Sequence, residues 1–200
     1  MSKAFGSVTA LTNVTLNLVG GRVHALMGEN GAGKSTLIKL IAGVLKADSI
    51  NIKKNGNQLS IKNAQDAREA GFRFIHQELN IFPQLSVAEN ILIGRNLPRR
   101  FGFFVNWQEV YAQAINALVM LGADHINVKT LAGDLLPGDK MMMKIAAALI
   151  SSDEYKPVLY VLDEPTAALT GKESEMLFKV ISRLKAKGAA ILYVSHRIDE

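Results

Sequence analysis

The chain of 200 residues contains no cysteine. That excludes disulfides, thiolate metal sites and cysteine nucleophiles, and it suits a reducing compartment. Long apolar runs are missing too. Apolar stretches such as 158–162 are strand-sized and far short of a bilayer span. The first six residues, Met1-Ser2-Lys3-Ala4-Phe5-Gly6, have no apolar core and do not read as a signal peptide. Work at a membrane would therefore go through docking. Blocks of like charge are absent as well. Twenty-three basic and 18 acidic residues give a net charge of +5, but they are scattered, without the stripe of a nucleic-acid-binding face. There is no internal repeat and no low-complexity segment.

What is present is an ordinary globular composition, 48% hydrophobic and 20% charged, enough for one α/β domain. Short apolar runs alternate with helix-like stretches, which predicts βα units and a mainly parallel sheet. Residues 22–27 read as a strand, then a glycine-rich loop, then a helix over 34–45. Segments 50–53 and 58–61 flank Asn55-Gly56, the dipeptide of a type I′ hairpin turn. A helix over 64–70 and a strand over 72–75 follow. Helical spacing over 87–94 and 107–121 marks an inserted helical portion, about residues 85–151. The sheet pattern resumes at 158–162 and 190–194, with a helix over 172–187 between. Met141-Met142-Met143 reads as helix packing, because methionine fills irregular gaps.

The strongest motif is Gly28-Glu29-Asn30-Gly31-Ala32-Gly33-Lys34-Ser35, a GxxxxGK[ST] phosphate loop in the right setting, strand before and helix after. Its glycines let backbone N–H groups wrap phosphates. Lys34 brings a point charge to the outer phosphates, and the Ser35 hydroxyl can ligate Mg²⁺. The helix that follows points its positive end at the same anion. The second motif is the apolar strand ending in Asp163-Glu164. In α/β sheets the strand's carboxyl end faces the ligand crevice. Asp163 is placed for the Mg²⁺ shell and Glu164 for general-base activation of water.

Taken with His76-Gln77-Glu78-Leu79-Asn80, Asp163-Glu164-Pro165-Thr166 and Ser195-His196-Arg197, the segment Gly28–Thr36 places this chain in resemblance to the ATP-binding cassette ATPases. The likeness covers essentially the whole chain. The wording around residues 25–30, 76–80, 165–170 and 195–200 is similar to the N-terminal cassette of bacterial sugar importers of the ribose, galactose and xylose group. The resemblance implies a P-loop α/β core with an antiparallel β portion and an inserted helical subdomain, ATP and Mg²⁺ as ligands, and hydrolysis that energises sugar import. It also implies a place on the cytoplasmic side of the membrane. The partners would be permease subunits, a second cassette and, indirectly, a periplasmic sugar-binding protein, with no nucleic acid. Gln77 would sense Mg²⁺ and the γ-phosphate, His196 would contact the γ-phosphate, and Phe5 would stack on adenine. A single ring near a terminus equally suits a core or surface position.

Two departures qualify the likeness. The family's signature Leu-Ser-Gly-Gly-Gln is here Leu135-Leu136-Pro137-Gly138-Asp139. Leu136 cannot donate the serine's hydrogen bond, and Asp139 brings a carboxylate toward phosphate. The chain's own pocket therefore reads as competent, and the site it would complete in a second cassette as impaired. Against the family, the chain also reads as a single cassette incomplete at both ends. Three rivals remain. A small-metabolite kinase would need lid arginines and an acceptor site. A cassette acting on ribosomes or DNA would show a complete signature, and a non-hydrolysing relic would bind ATP without turning it over.

Overall fold

The computed structural model describes residues 1–75, 81–150, 156–167 and 169–196. In chain order it contains β1 (Lys3–Phe5), β2 (Val8–Leu11), β3 (Val23–Met27), α1 (Lys34–Ile41), β4 (Ile52–Lys54), β5 (Asn57–Leu59), α2 (Ala64–Glu69) and β6 (Phe72–Ile75). Then come α3 (Val87–Leu92), β7 (Arg99–Arg100), β8 (Phe104–Val105), α4 (Trp107–Met120), α5 (Pro137–Leu149), β9 (Leu159–Asp163), α6 (Gly171–Ala186) and β10 (Ala190–Ser195). The chain divides into two units, one of residues 1–74, 155–164 and 184–200, the other of residues 75–154 and 165–183.

The first unit is organised by a four-stranded sheet in the order β3-β10-β9-β6. β10 runs parallel to both β3 and β9. All six residues of β10 and the first four of β9 are buried. The apolar runs Leu159–Leu162 and Ala190–Val194 suit strands covered on both faces, where alternation would leave polar groups inside. β3 is an edge strand, and it alternates between exposed and half-buried positions. On one face α1 places Leu37, Ile38, Leu40 and Ile41 against Leu159, Val161, Leu192 and Val194. Burying each such side chain contributes about 1.5–3 kcal/mol, so this contact holds the helix against the sheet. α1 is shorter than its sequence pattern suggests: the backbone turns left-handed at Gly43 (φ 67°) and stops it before Leu45. β1–β2 and β4–β5 are separate antiparallel pairs. Asn55 and Gly56 both take positive φ (51° and 83°), as a type I′ turn requires.

The second unit packs α3, α4 and α5 together through Ile91 and Leu92, Val110 and Leu118, and Met141, Met142, Met143 and Ile145, each no more than 1% exposed. The methionine triplet is thus core. α3 starts with a full capping box: the Ser86 hydroxyl accepts from the Glu89 N–H, and the Glu89 carboxylate accepts from the Ser86 N–H. α3 ends at Leu92, earlier than its helical spacing over 87–94 implies. The buried Asn90 amide donates to the carbonyls of Phe82, Leu85 and Ser86 and accepts from the Phe82 N–H, so its burial is compensated. The β7–β8 hairpin is set between α3 and α4. Among the described residues, no helix is long and apolar enough to cross a membrane.

Candidate functional site

Strand register brings the sequence motifs to one edge. Val194 in β10 is level with Leu26 in β3 and with Asp163 in β9. Gly28, Glu164 and His196 therefore follow directly from the carboxyl ends of three neighbouring strands. With strands about 4.8 Å apart, the phosphate-loop strand and the acidic strand lie about 10 Å from each other, with β10 between them.

The loop over 28–33 ends in Gly33, the N-cap of α1, at φ 87° and ψ 4°. Gly31 also has a positive φ, 86°. A Cβ on Gly33 would lie 2.8 Å from the Ala10 carbonyl oxygen and 2.9 Å from Leu11 Cδ2, so β2 presses directly on the loop. Lys34 folds back over it. Its ammonium donates to the carbonyls of Gly28 (2.5 Å) and Glu29 (2.9 Å), which leaves a third N–H for another acceptor. The first N–H groups of α1 have no intrahelical acceptor by construction, and the helix's positive end sits with them. Ser35 is exposed and Thr36 half-buried in that first turn. A loop of N–H donors, one ammonium and one hydroxyl is an anion-binding cradle.

At the acidic strand, Glu164 sits just past the end of β9 with φ 47°, an uncommon conformation for a residue with a side chain. Its N–H crosses to the Val194 carbonyl at 2.9 Å, which holds the turn. Its carboxylate Oε1 is 2.7 Å from His196 Nδ1. An ionised carboxylate only accepts, so Nδ1 carries the proton in this pair. That fixes the ring and leaves Nε2 for a further partner. The Glu164 side chain is 15% exposed and that of His196 51%. Sequence reasoning gives Glu164 and His196 separate roles and misses this direct hydrogen bond. The signal was present only as the equal placement of the two residues past their strands. Asp163, the last residue of β9, is half-buried.

Phe5 closes β1 and is 49% exposed, with the Lys3 ammonium 5.4 Å from its ring centroid. β1 pairs with β2, whose Ala10 and Leu11 touch Gly33, so this ring belongs to the hairpin that flanks the phosphate loop. It is no core residue. Gln77 lies outside the described residues.

In the second unit the segment over 135–139 opens α5. Leu136 is the N-cap, 71% exposed, with no side-chain capping bond, and Pro137 takes the first helical position. Asp139 Oδ1 is 2.8 Å from His125 Nε2. A Cβ on Gly138 would meet the Glu173 carboxylate at 2.6 Å. Glu173 also accepts from the N–H and hydroxyl of Thr170 (2.6 and 2.7 Å). Carboxylates from Asp139 and Glu173 thus flank the first turn of α5, an arrangement of which sequence reading gave only the Asp139 half. Among the described residues no three or more His, Cys, Asp or Glu side chains gather as a metal cluster.

A family model described as "ABC transporter" matches residues 11–167. The ribose import ATP-binding protein of Caldanaerobacter subterraneus subsp. tengcongensis is 46% identical over 200 residues, covering 100% of this chain and 39% of that protein. The protein of the same name from Chromobacterium violaceum gives the same identity and coverage. The chain thus spans about two-fifths of the length of these curated relatives. Among solved structures, a nucleotide-free ATP-binding cassette from an ABC transporter superposes with a TM-score of 0.82 at 29% identity, over 99% of this chain and 79% of the other. An ATP-binding cassette of an ABC transporter in its ADP conformation gives 0.79 at 30% identity, with the same coverage. Sequence and fold agree along nearly the full length described: the chain belongs to the ABC transporter family.

Proposed function

We propose that this chain binds ATP with Mg²⁺ and hydrolyses it, and that the hydrolysis energises import of a sugar through a membrane permease. The observation that carries the reading is the shared edge of one parallel sheet, where the Gly28–Thr36 cradle, Asp163 and the hydrogen-bonded Glu164–His196 pair stand together. The printed names of the curated relatives support the sugar, and ribose in particular.

In this reading the N–H groups of residues 31–36 and the free donor of Lys34 take the phosphate oxygens. Phe5 stacks on the adenine. The Ser35 hydroxyl, Asp163 and Gln77 are the oxygen donors that would hold Mg²⁺, a hard cation whose contribution is to neutralise phosphate charge. Ser35 and Asp163 fit that demand in kind, one hydroxyl exposed at the cradle and one carboxylate at the neighbouring strand end. Glu164 keeps Oε2 for the attacking water and accepts its proton as the water oxygen bonds to the γ-phosphorus and the bond from that phosphorus to the β,γ-bridging oxygen breaks, releasing ADP. His196, anchored through Nδ1, offers Nε2 to the γ-phosphate. The protein sits at the cytoplasmic face of the inner membrane as a peripheral subunit. It works with permease subunits, a second cassette and, through the permease, a periplasmic sugar-binding protein.

The test is nucleotide titration and phosphate release for the purified parent, Lys34→Ala and Glu164→Gln, with circular dichroism to verify folding. Lys34→Ala is expected to weaken ATP binding at least ~10-fold, from loss of a charged hydrogen bond of about 1.5–3 kcal/mol. Glu164→Gln is expected to keep binding and lose turnover. Equal binding by folded Lys34→Ala would reject the pocket. A second reading, ATP binding without turnover, draws on the exposed Leu136 and on the carboxylates flanking α5. It predicts ATP binding with no phosphate release when the chain pairs only with copies of itself.

A further inference from the structure

The β7–β8 hairpin has a composition that the nucleotide chemistry does not use. Arg99 pairs with Val105 and Arg100 with Phe104, and residues 101–103 form the tip. Phe101 is 79% exposed, Phe103 89% and Phe104 72%. Trp107, opening α4 just beyond, is 43% exposed. The hairpin is a built feature. The Asn106 N–H donates to the Pro98 carbonyl at 2.8 Å and closes its base, and Arg99 Nη1 reaches the Gly102 carbonyl at 3.4 Å. The Arg100 guanidinium lies 5.2 Å from the Phe101 ring centroid. Phe101 itself holds φ 53°, a conformation bulky residues rarely take, and its ring is nevertheless turned out to solvent.

Three adjacent rings in water are costly unless something covers them. The charge around them states what. From residue 90 to residue 108 the sequence has three arginines and no carboxylate. A narrow ribbon with rings projecting from its tip suits a medium that moulds around it. Rings at the apolar boundary with arginines just behind them is the pattern of a membrane interface, where aromatics sit at headgroup depth and guanidiniums pair with lipid phosphates. We propose that the 99–107 hairpin docks on an anionic phospholipid surface, with Phe101, Phe103 and Phe104 entering the headgroup–acyl boundary and Arg99 and Arg100 meeting phosphates. This contact is direct and separate from any permease.

Trp107 is the sole tryptophan of the chain, so its fluorescence reports on this hairpin alone. The experiment is vesicle co-sedimentation with Trp107 emission. It compares vesicles of phosphatidylcholine with vesicles that also contain phosphatidylglycerol, using the parent chain, Phe101→Ser/Phe103→Ser/Phe104→Ser and Arg99→Gln/Arg100→Gln. The parent is expected to sediment with the anionic vesicles, blue-shift its emission and release at high salt. Both variants should fold as the parent does by circular dichroism, since the altered side chains are exposed. Losing both arginines should weaken partitioning about 10-fold or more, and losing the three rings at least ~10-fold. The proposal is overturned if the parent neither sediments nor shifts, or if the triple variant partitions equally. It is overturned too if the rings instead drive self-association: light scattering would show a mass that falls in the triple variant, with Trp107 indifferent to vesicles.

Discussion

Gly33 offers the sharpest test of how the phosphate loop is held. Replacing it with alanine imposes two separate costs. A left-handed backbone at φ 87° costs an L-residue about 1–2 kcal/mol. The new methyl would also lie 2.8 Å from the Ala10 carbonyl oxygen, a backbone atom that moves only if β2 moves. Overpacking of that kind costs about 1–3 kcal/mol more, for a total of about 2–5 kcal/mol. Gly31 separates the two effects. Its φ is nearly the same, 86°, yet nothing lies within 4 Å of a Cβ there. Gly31→Ala should therefore lose only the backbone term. At about 2–4 °C per kcal/mol for a chain this size, Gly33→Ala should melt about 2–12 °C below Gly31→Ala. Differential scanning fluorimetry of the two variants without nucleotide measures this gap. Equal melting temperatures, or a lower one for Gly31→Ala, would refute the claim that β2 braces the loop.

Leu136→Ser places a capping residue on a backbone (φ −67°, ψ 157°) that matches Ser86 (φ −65°, ψ 162°), which does cap its helix. It should raise stability by about 1 kcal/mol; a melting temperature at or below the parent's would contradict this. In an assembly with a second cassette the same change should raise ATP turnover, and identical turnover would remove the signature segment from the account. Asp48 accepts from the Ala4 N–H (2.7 Å) and the Lys3 ammonium (3.0 Å), and these bonds hold its carboxyl below the usual aspartate range. A depressed folded value means the stabilisation is complete above the ordinary aspartate pKa and fades as pH falls through the lower one. Asp48→Asn should therefore melt below the parent at neutral pH, with the gap closing only in acid under about pH 4. A gap that widens on acidification would reverse the sign.

Sequence made the phosphate loop, β9 and β10 legible for one physical reason. Strands buried on both faces must be apolar throughout, and a cradle for phosphate needs glycines and a lysine at fixed spacing. What escaped depends on register and on distant approach. No local pattern states that Val194 stands level with Asp163, so the hydrogen bond between Glu164 and His196 could not be read from either motif. The β7–β8 hairpin carries two residues per strand, too few for any alternation to register. Glu173 reaches Gly138 from a different helix, a contact no spacing rule supplies. The length of α1 was overestimated because apolar residues continue past the turn at Gly43.

The folded-back Lys34 has a kinetic meaning. Its two bonds to the carbonyls of Gly28 and Glu29 gather the loop around the charge that a phosphate seeks. The side chain has already given up its rotamer freedom, and one N–H still points to a new acceptor. An arriving phosphate then meets a finished cradle, with no slow ordering of the loop before capture. Association should run in a single phase whose rate scales with nucleotide concentration. The time a nucleotide stays, set by how many donors must let go together, becomes the quantity that the loop's residues tune.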